Sequence, residues 1–103
     1  MTQTTMRDRI CLVTGATGGM GVVIARELAA HGATVVLVGR DAHKGAAIQR
    51  AIAQATGNTA VDLLLADLSS QQEIRRLVEE FRRRYGQLHV LVNNAGAHIR
   101  SAT

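Results

Sequence analysis

Residues 9–32, Arg-Ile-Cys-Leu-Val-Thr-Gly-Ala-Thr-Gly-Gly-Met-Gly-Val-Val-Ile-Ala-Arg-Glu-Leu-Ala-Ala-His-Gly, decide the fold of this chain. A short apolar run leads into a turn with glycines at Gly15, Gly18, Gly19 and Gly21, and a segment with helical periodicity follows. Such glycines allow a tight turn, close approach of a pyrophosphate to the backbone, and close packing of helix on strand. The helix N-terminus adds free N–H groups and partial positive charge. The stretch therefore predicts a phosphate-binding turn, and a plain strand–helix turn is the alternative interpretation.

Beyond this stretch, short apolar runs alternate with segments of helical periodicity. The apolar runs predict strands over residues 9–14, 34–39, 60–67 and 88–92. The helical patterns predict helices over residues 20–31, 42–56 and 71–85. Strands that are apolar at consecutive positions are typical of a parallel sheet covered on both faces. Right-handed crossovers place the first two helices on one face and the third on the other. We predict an α/β fold, a Rossmann-like, doubly wound but incomplete parallel sheet with strand order 3-2-1-4.

The length and composition predict a single domain. The chain has 103 residues, of which 47% are apolar, enough for one hydrophobic core. We expect the domain to span residues 1–103, with loose ends at 1–8 and 97–103. Ser70-Gln71-Gln72-Glu73 predicts a capping box at the start of the third helix, in which Ser70 and Glu73 each accept a hydrogen bond from a free N–H.

Four loops that follow strand ends are expected to meet at one edge of the sheet. They are the glycine turn, Gly39-Arg40, Asp67 and residues 93–96. Ligands of parallel α/β sheets bind outside the carboxyl ends of the strands, at the point where the strand order reverses. Here that point lies between the first and fourth strands. The convergence of these loops is the strongest functional indication in the sequence, and the hydroxyl of Thr17 is a candidate phosphate ligand within it.

The residues that end the second strand predict the type of dinucleotide. An acidic residue at this position would hold a ribose 2′-hydroxyl and repel a 2′-phosphate. This chain has Gly39 followed by Arg40, and the planar, permanently charged guanidinium of arginine suits a phosphate. We therefore predict NADP (NADPH) as the cofactor in preference to NAD. The alternative interpretation is that Arg40 is only a loop charge beside Asp41, which has the right chemistry for a helix N-cap.

Three motifs in this order resemble the short-chain dehydrogenase/reductase family. They are Thr14-Gly15-x-x-x-Gly19-x-Gly21, Asp67-Leu68 and Asn93-Asn94-Ala95-Gly96. The resemblance covers residues 9–97, nearly the whole chain. Two features depart from the family. Met20 stands where the family commonly has isoleucine, at a position read mainly through its backbone. The glycine turn also lacks the second basic residue found in many NADP-using relatives.

The resemblance implies roles for individual residues around the cofactor. Thr14 would brace the turn at residues 93–96. Asp67 would accept a hydrogen bond from the adenine amino group, with the Leu68 backbone beside it, although Asp67 alternatively only shapes the turn before the third helix. Asn94, Ala95 and Gly96 would lie along the adenosine ribose. With Gly15, Thr17, Gly18, Gly19, Met20, Gly21 and Arg40, these residues form the expected cofactor site.

The catalytic residues of that family have no counterpart in this sequence. Its chemistry is hydride transfer between nicotinamide and a carbonyl or alcohol, with a tyrosine as general acid/base and a lysine four residues later. The only tyrosine here is Tyr85, which is followed four residues later by His89. We therefore interpret the chain as the NAD(P)-binding part of an oxidoreductase that acts on a small carbonyl or alcohol only in a longer parent protein. The alternative is a non-catalytic nucleotide-sensing or protein-interaction module of the same fold.

Other partners and sites are not expected. The net charge of +4 reflects arginines at helical spacing without interleaved aromatic residues, which argues against nucleic acid. No pair of histidines has the spacing of a metal site. The single cysteine, Cys11, is expected to be a small buried apolar side chain, and we predict a cytoplasmic protein without a membrane segment. The apolar fourth strand leaves an open sheet edge, which implies either a homo-oligomer or a missing C-terminal half.

Overall fold

The computed structural model of this protein describes residues 5–93. Its elements alternate along the chain as β1 (Ile10–Thr14), α1 (Gly19–Ala30), β2 (Thr34–Gly39), α2 (Ala42–Thr56), β3 (Val61–Leu65), α3 (Gln71–Tyr85) and β4 (Val90–Val92). All strand pairs are parallel and the strand order is β3-β2-β1-β4. The predicted fold class and strand order are therefore confirmed. None of the described helices is both long and apolar enough to cross a lipid bilayer.

The helices cover the two faces of the sheet as expected. On one face, α1 and α2 bury a core that includes Ala25, Ala29 and Ile52 against the strand residues Cys11, Val13, Val35 and Leu37. On the other face, α3 packs Leu77 and Phe81 against Val36, Val38 and Leu64. Cys11 is fully buried, and burial raises the pKa of its thiol, so it is a small apolar side chain as predicted.

Two strands, β3 and β4, are shorter than predicted. At β4, the Nδ1 atom of His89 accepts the hydrogen bond of the Ile10 N–H at 2.9 Å, and the ladder begins only at Val90. At β3, the chain leaves the ladder after the Ala66 N–H has bonded to the Gly39 carbonyl at 3.0 Å. Asp67 already belongs to the turn that leads into α3.

The free edge of β3 is closed by side chains. Gln49 Nε2 donates to the Val61 carbonyl at 2.8 Å, and Arg76 Nη2 donates to the Leu65 carbonyl at 3.2 Å. Between them, Asp62 Oδ1 accepts from the Leu63 N–H at 2.8 Å. These bonds occupy edge groups that could otherwise pair with another strand, so β3 is built as the last strand of its sheet.

The edge at β4 differs, because apolar side chains are exposed beside it. Leu91 is 58% exposed and Leu88 is 41% exposed. Leu91 is paired in register with Leu12, a residue on the α3 side of the sheet. An apolar groove of about 240 Å³ runs between this part of the sheet and α3. Within residues 5–93, this face of the sheet beside β4 is therefore exposed and apolar.

The lead-in expected to be loose is anchored over its described part, residues 5–8. The Met6 N–H donates to the His31 carbonyl at 2.7 Å, and the Met6 side chain packs against the core beneath α1. The Arg9 N–H closes a turn on the Met6 carbonyl at 2.9 Å. The sequence does not reveal that Met6 reaches the core. Residues 1–4 and 97–103 lie outside the described part of the chain.

Candidate functional site

A cleft of about 390 Å³ opens where β1, β2 and β3 end. Its walls are formed by Gly15, Thr17, Val38, Gly39, Arg40, Ala66, Asp67, Leu68 and Ser69. Five residues predicted from the sequence, Gly15, Thr17, Arg40, Asp67 and Leu68, therefore lie together. Gly18, Gly19, Met20 and Gly21 flank the cleft as the N-cap and first turn of α1 and do not line it. Asn94, Ala95 and Gly96 lie outside the described residues.

The glycine turn is held by its own backbone. Gly15 has a φ of 63°, a left-handed conformation that glycine adopts without steric cost. The Gly18 N–H then donates to the Gly15 carbonyl at 3.1 Å, and the Ala16 N–H reaches the Val38 carbonyl at 3.4 Å. Gly18 is the N-cap of α1 and has no side chain to accept hydrogen bonds from the first turn. The N-terminal N–H groups of α1 are therefore available to an anion.

Two glycines of the motif have different surroundings. A Cβ built on Gly19 meets no atom within 4 Å, so the space beside this residue is open to a ligand. A Cβ built on Gly21 would lie 2.3 Å from the Gly15 carbonyl oxygen, so Gly21 allows α1 to pack on the turn. Met20 between them is 65% exposed. The predicted division between a glycine for the ligand and a glycine for helix packing agrees with this geometry.

Arg40 stands at the end of β2 with its guanidinium exposed. It forms no ion pair within residues 5–93, and its charge contributes to lowering the pKa of the Asp67 carboxyl. The neighbouring Asp41 is committed elsewhere, because its Oδ1 atom caps α2 by accepting from the N–H groups of His43 and Lys44 at 2.9 and 3.1 Å. The N-cap prediction for Asp41 is confirmed, so the carboxylate of Asp41 is engaged at the start of α2 and not with Arg40.

Asp67 shapes the turn that follows β3. Its Oδ1 atom accepts from the Ser69 hydroxyl at 2.7 Å and from the Ser69 N–H at 3.0 Å. These two bonds, with a smaller contribution from Arg40, hold the pKa of Asp67 below its usual range and keep the carboxylate ionised. Sequence reasoning missed Ser69 as a cleft residue. The signal was the Asp-x-Ser pattern, in which an aspartate accepts from the backbone two residues later.

The capping box at α3 forms in a modified way. Ser70 Oγ accepts from the Glu73 N–H at 3.2 Å, as predicted. Glu73 also accepts from a free N–H, but that group belongs to Asp67, at 3.3 Å. The Ser70 N–H is unavailable to Glu73 because it donates to the Asp67 carbonyl at 3.1 Å. The carboxylate of Glu73 therefore bonds to the backbone of Asp67, a residue that lines the cleft.

Thr14 joins β1 to the turn after β4. Thr14 is only 6% exposed. Its hydroxyl oxygen lies 3.3 Å from the Val92 carbonyl oxygen and 3.1 Å from Asn93 Oδ1. Thr14 therefore contacts the end of β4 at Val92 and Asn93, and residues 94–96 of the turn it is expected to brace lie outside the described part of the chain.

Tyr85 is at the opposite end of the sheet from the cleft. Its hydroxyl donates to Asp62, the second residue of β3, and its ring packs on Phe81 with centroids 5.1 Å apart. Arg84 Nη1 also donates to Asp62 Oδ2, at 2.8 Å. Burial, followed by the hydrogen bond to Asp62, raises the pKa of Tyr85 to about 12. Tyr85 is therefore a structural residue that links α3 to β3.

The parallel sheet and the glycine turn at its switch point define a Rossmann-like α/β protein. More specifically, the chain belongs to the short chain dehydrogenase family, whose profile matches residues 9–103. Members of this family are oxidoreductases that bind a dinucleotide cofactor.

Curated relatives resemble the chain over most of its length. It is 43% identical over 89 residues to the 3beta-hydroxysteroid dehydrogenase of Mediterraneibacter gnavus, with 86% of this chain and 32% of that protein covered. It is 39% identical over 89 residues to the human polyprenol dehydrogenase, with 86% of this chain and 27% of that protein covered. The chain thus spans between a quarter and a third of the length of these relatives.

Solved structures share the fold at comparable identity. A metagenomic short-chain oxidoreductase in complex with NADP aligns with a TM-score of 0.83 at 37% identity, covering 91% of this chain and 42% of that one. The Pseudomonas aeruginosa RhlG/NADP active-site complex aligns with a TM-score of 0.81 at 38% identity, covering 90% and 36%.

Proposed function

We propose that the chain, as a single domain over residues 1–103, is the NADP-binding part of a short-chain dehydrogenase/reductase. The observation that carries the proposal is the meeting of the glycine turn, Arg40 and Asp67 in one cleft at the ends of β1, β2 and β3. The parent activity is NADPH-linked reduction or oxidation of a carbonyl–alcohol pair. When bound, the nicotinamide donates or accepts the hydride in that reaction.

The residues of the cleft suit the parts of a dinucleotide. The exposed N–H groups at the start of α1 and the open space beside Gly19 fit a diphosphate. The hydroxyl of Thr17, which lines the cleft, is proposed to donate a hydrogen bond to a phosphate oxygen. Asp67 and Leu68 form the wall for the adenine, and Asn94, Ala95 and Gly96 would lie along its ribose. Met20 would contribute its backbone N–H in the first turn of α1.

The preference for NADP over NAD rests on the end of β2. Gly39 leaves no carboxylate that could bind a 2′-hydroxyl or repel a 2′-phosphate. Arg40 adds a guanidinium without an ion-pair partner in the described part of the chain. A charge-assisted hydrogen bond of this kind contributes about 1.5–3 kcal/mol, which corresponds to a preference of roughly ten- to a hundredfold.

Catalysis is proposed to lie outside these residues. The Tyr85 hydroxyl is bonded to Asp62 at the far end of the sheet, and Lys44 lies in the first turn of α2. Tyr85 therefore lies away from the cleft, and the residue four positions after it is His89 rather than a lysine. The chain alone should bind cofactor without turnover, and substrate-dependent oxidation of NADPH by these 103 residues alone would contradict this assignment.

The proposal is tested by titration calorimetry of the folded chain with NADPH, NADH and 2′-phospho-AMP. We expect saturable binding that favours the two 2′-phosphorylated ligands. Arg40→Ala should abolish that preference, and the control Arg50→Ala, an exposed arginine of α2, should retain it. Equal affinity for NADPH and NADH would contradict the NADP preference, whereas no binding of any ligand would contradict the function itself.

A second candidate, a protein-interaction module of the same fold, is favoured by the contrast between the two sheet edges. Side chains occupy edge groups of β3, whereas Leu88 and Leu91 are exposed at β4. Under this hypothesis, light scattering should detect a stable dimer that has no nucleotide affinity. Leu91→Lys should dissociate it, and Leu65→Lys at the capped edge should not. A monomer that binds NADPH would exclude this candidate.

A further inference from the structure

Almost every polar group of Asp67 is occupied by the protein. Oδ1 accepts two hydrogen bonds from Ser69, the carbonyl accepts from the Ser70 N–H, and the N–H donates to Glu73 Oε1. Within residues 5–93, Oδ2 is the atom of this carboxylate for which no hydrogen bond is described. Asp67, which lines the cleft, is therefore held at several points, and its Oδ2 atom is the acceptor that remains for a ligand.

Arg76 and Glu73 form the clamp behind Asp67. Arg76 Nη2 donates to Glu73 Oε1 at 2.8 Å and to the Leu65 carbonyl at 3.2 Å. The same Glu73 oxygen accepts from the Asp67 N–H at 3.3 Å. The Arg76 guanidinium thus links the carbonyl of Leu65, the last residue of β3, to the Glu73 carboxylate, which accepts from the Asp67 N–H. The hydrogen bond from Arg76 and that from Asp67 also lower the pKa of Glu73, which keeps the clamp charged at neutral pH.

The clamp is more than an ordinary helix cap. In a standard capping box, the glutamate would bond to the N–H of the N-cap residue, Ser70. Here that N–H is used by the Asp67 carbonyl, and Glu73 bonds to Asp67 instead. The interaction therefore fixes the backbone on both sides of the Asp67 side chain. A carboxylate fixed in this way loses little orientational freedom when it binds a ligand.

We propose that Arg76 and Glu73 are positioning residues that aim the free oxygen of Asp67 at the 6-amino group of adenine. The clamp thereby gives the cleft its selectivity for adenine over hypoxanthine, which carries an oxygen acceptor at that position. The inference rests on the proposed cofactor function and deepens it. Arg76 and Glu73 touch no reacting atom and act only through Asp67.

The test compares affinities of the 103-residue chain for NADPH and for its hypoxanthine analogue, in which the adenine amino group is replaced by oxygen. A hydrogen bond to a carboxylate predicts that the chain favours NADPH by roughly ten- to a hundredfold. Arg76→Ala should reduce this ratio several-fold, mainly by weakening NADPH binding. Arg75→Ala, which removes an exposed arginine one residue earlier on α3, should leave the ratio unchanged.

Substitutions of Glu73 separate positioning from general stability. Glu73→Gln keeps an oxygen that accepts from the Asp67 N–H, so it should retain most of the ratio, whereas Glu73→Ala should lose it. Circular dichroism and urea unfolding of each variant monitor the fold, since a merely structural loss would weaken both nucleotides equally. A ratio that is unchanged in folded Arg76→Ala and Glu73→Ala would overturn the inference, as would a wild-type ratio of one. Failure of the wild type to bind either nucleotide would overturn the proposed function together with it.

Discussion

Gly21 packs directly on the backbone of Gly15, so closely that a Cβ built on Gly21 would lie 2.3 Å from the Gly15 carbonyl oxygen. The next nearest atoms, the Gly15 carbonyl carbon and Ala16 Cα, would lie at 3.0 and 3.1 Å. All three belong to the backbone, so no rotation of a side chain can relieve the contact. The distance between α1 and the glycine turn therefore requires glycine at this position.

Gly21→Ala should destabilise the fold. The added methyl group must push α1 away from the turn, and overpacking of this kind costs typically 1–3 kcal/mol, at times more. We expect the midpoint of urea unfolding to fall, with loss of helical circular dichroism at lower denaturant concentration. A variant as stable as the wild type would show that α1 can move without cost.

Gly19→Ala is the matched substitution, and it should weaken NADPH binding without destabilising the fold. A methyl group meets no protein atom within 4 Å there, and replacing glycine in a helix stabilises by roughly 0.5–1 kcal/mol. The same methyl group would fill the space proposed for the diphosphate. We therefore expect unfolding at equal or higher urea, with NADPH affinity reduced at least about tenfold, as the lost approach to several N–H groups implies. Unchanged affinity would show that the diphosphate does not lie against Gly19.

Tyr85 should ionise well above the usual pH for a tyrosine. It is the only tyrosine, so the absorbance of tyrosinate reports on it alone. Burial and the hydrogen bond to Asp62 raise its pKa to about 12, and urea should return the midpoint to about 10. Because the folded pKa is the higher one, the stabilisation is complete below about pH 10 and is lost as the pH rises toward 12.

Asp62→Asn provides the control for that titration. Removing the charge should lower the pKa of Tyr85, because the negative carboxylate beside the hydroxyl disfavours tyrosinate. Burial raises the pKa of Asp62, but hydrogen bonds from Tyr85, Leu63 and Arg84 outweigh it and leave the pKa below its usual range. Its contribution to stability is thus present above about pH 4 and lost as the pH falls below that value. A Tyr85 midpoint unaffected by Asp62→Asn would contradict the hydrogen bond.

Asn58→Ala should destabilise the end of the sheet opposite the cleft. Asn58 Nδ2 donates to the carbonyls of Ala29 and Ala33 at 3.0 and 2.8 Å, and its Oδ1 atom accepts from the Ala60 N–H at 2.8 Å. Removing these partners leaves part-buried groups unsatisfied at a cost of about 1–3 kcal/mol. Urea unfolding measures the change, with the exposed Gln54→Ala as control. Equal stability of the two variants would show that water replaces the amide.

Most of the fold could be predicted from local patterns. Continuous apolar runs identified four strands, and the right-handedness of crossovers placed the helices on the two faces of the sheet. The cleft was also accessible to prediction, because loops at the carboxyl ends of parallel strands must meet at one edge of the sheet. Gly15, Thr17, Arg40, Asp67 and Leu68 were found in this way. The prediction depended on which residues follow strands and, for Leu68, on the resemblance to the short-chain dehydrogenase/reductase family.

What could not be predicted depends on side chains that meet across the fold. Ser69 was missed because its two bonds to Asp67 depend on the shape of one turn. The strand ends at β4 were misplaced because the ring of His89 takes the Ile10 N–H. The anchoring of Met6 beneath α1 also required the packed core. For Met6 and His89, no local pattern distinguishes these residues from solvent-exposed neighbours.

The sequence alone determined the order of the elements, the doubly wound sheet and the residue types gathered at its switch point. These follow from periodicity and glycine positions, which are local properties of the chain. The tertiary structure decided that Gly21 packs on backbone while the space beside Gly19 stays open, that the carboxylate of Glu73 bonds to Asp67, and that side chains occupy edge groups of β3 while Leu88 and Leu91 are exposed at β4. Those outcomes depend on contacts between particular atoms that only the packed chain brings together.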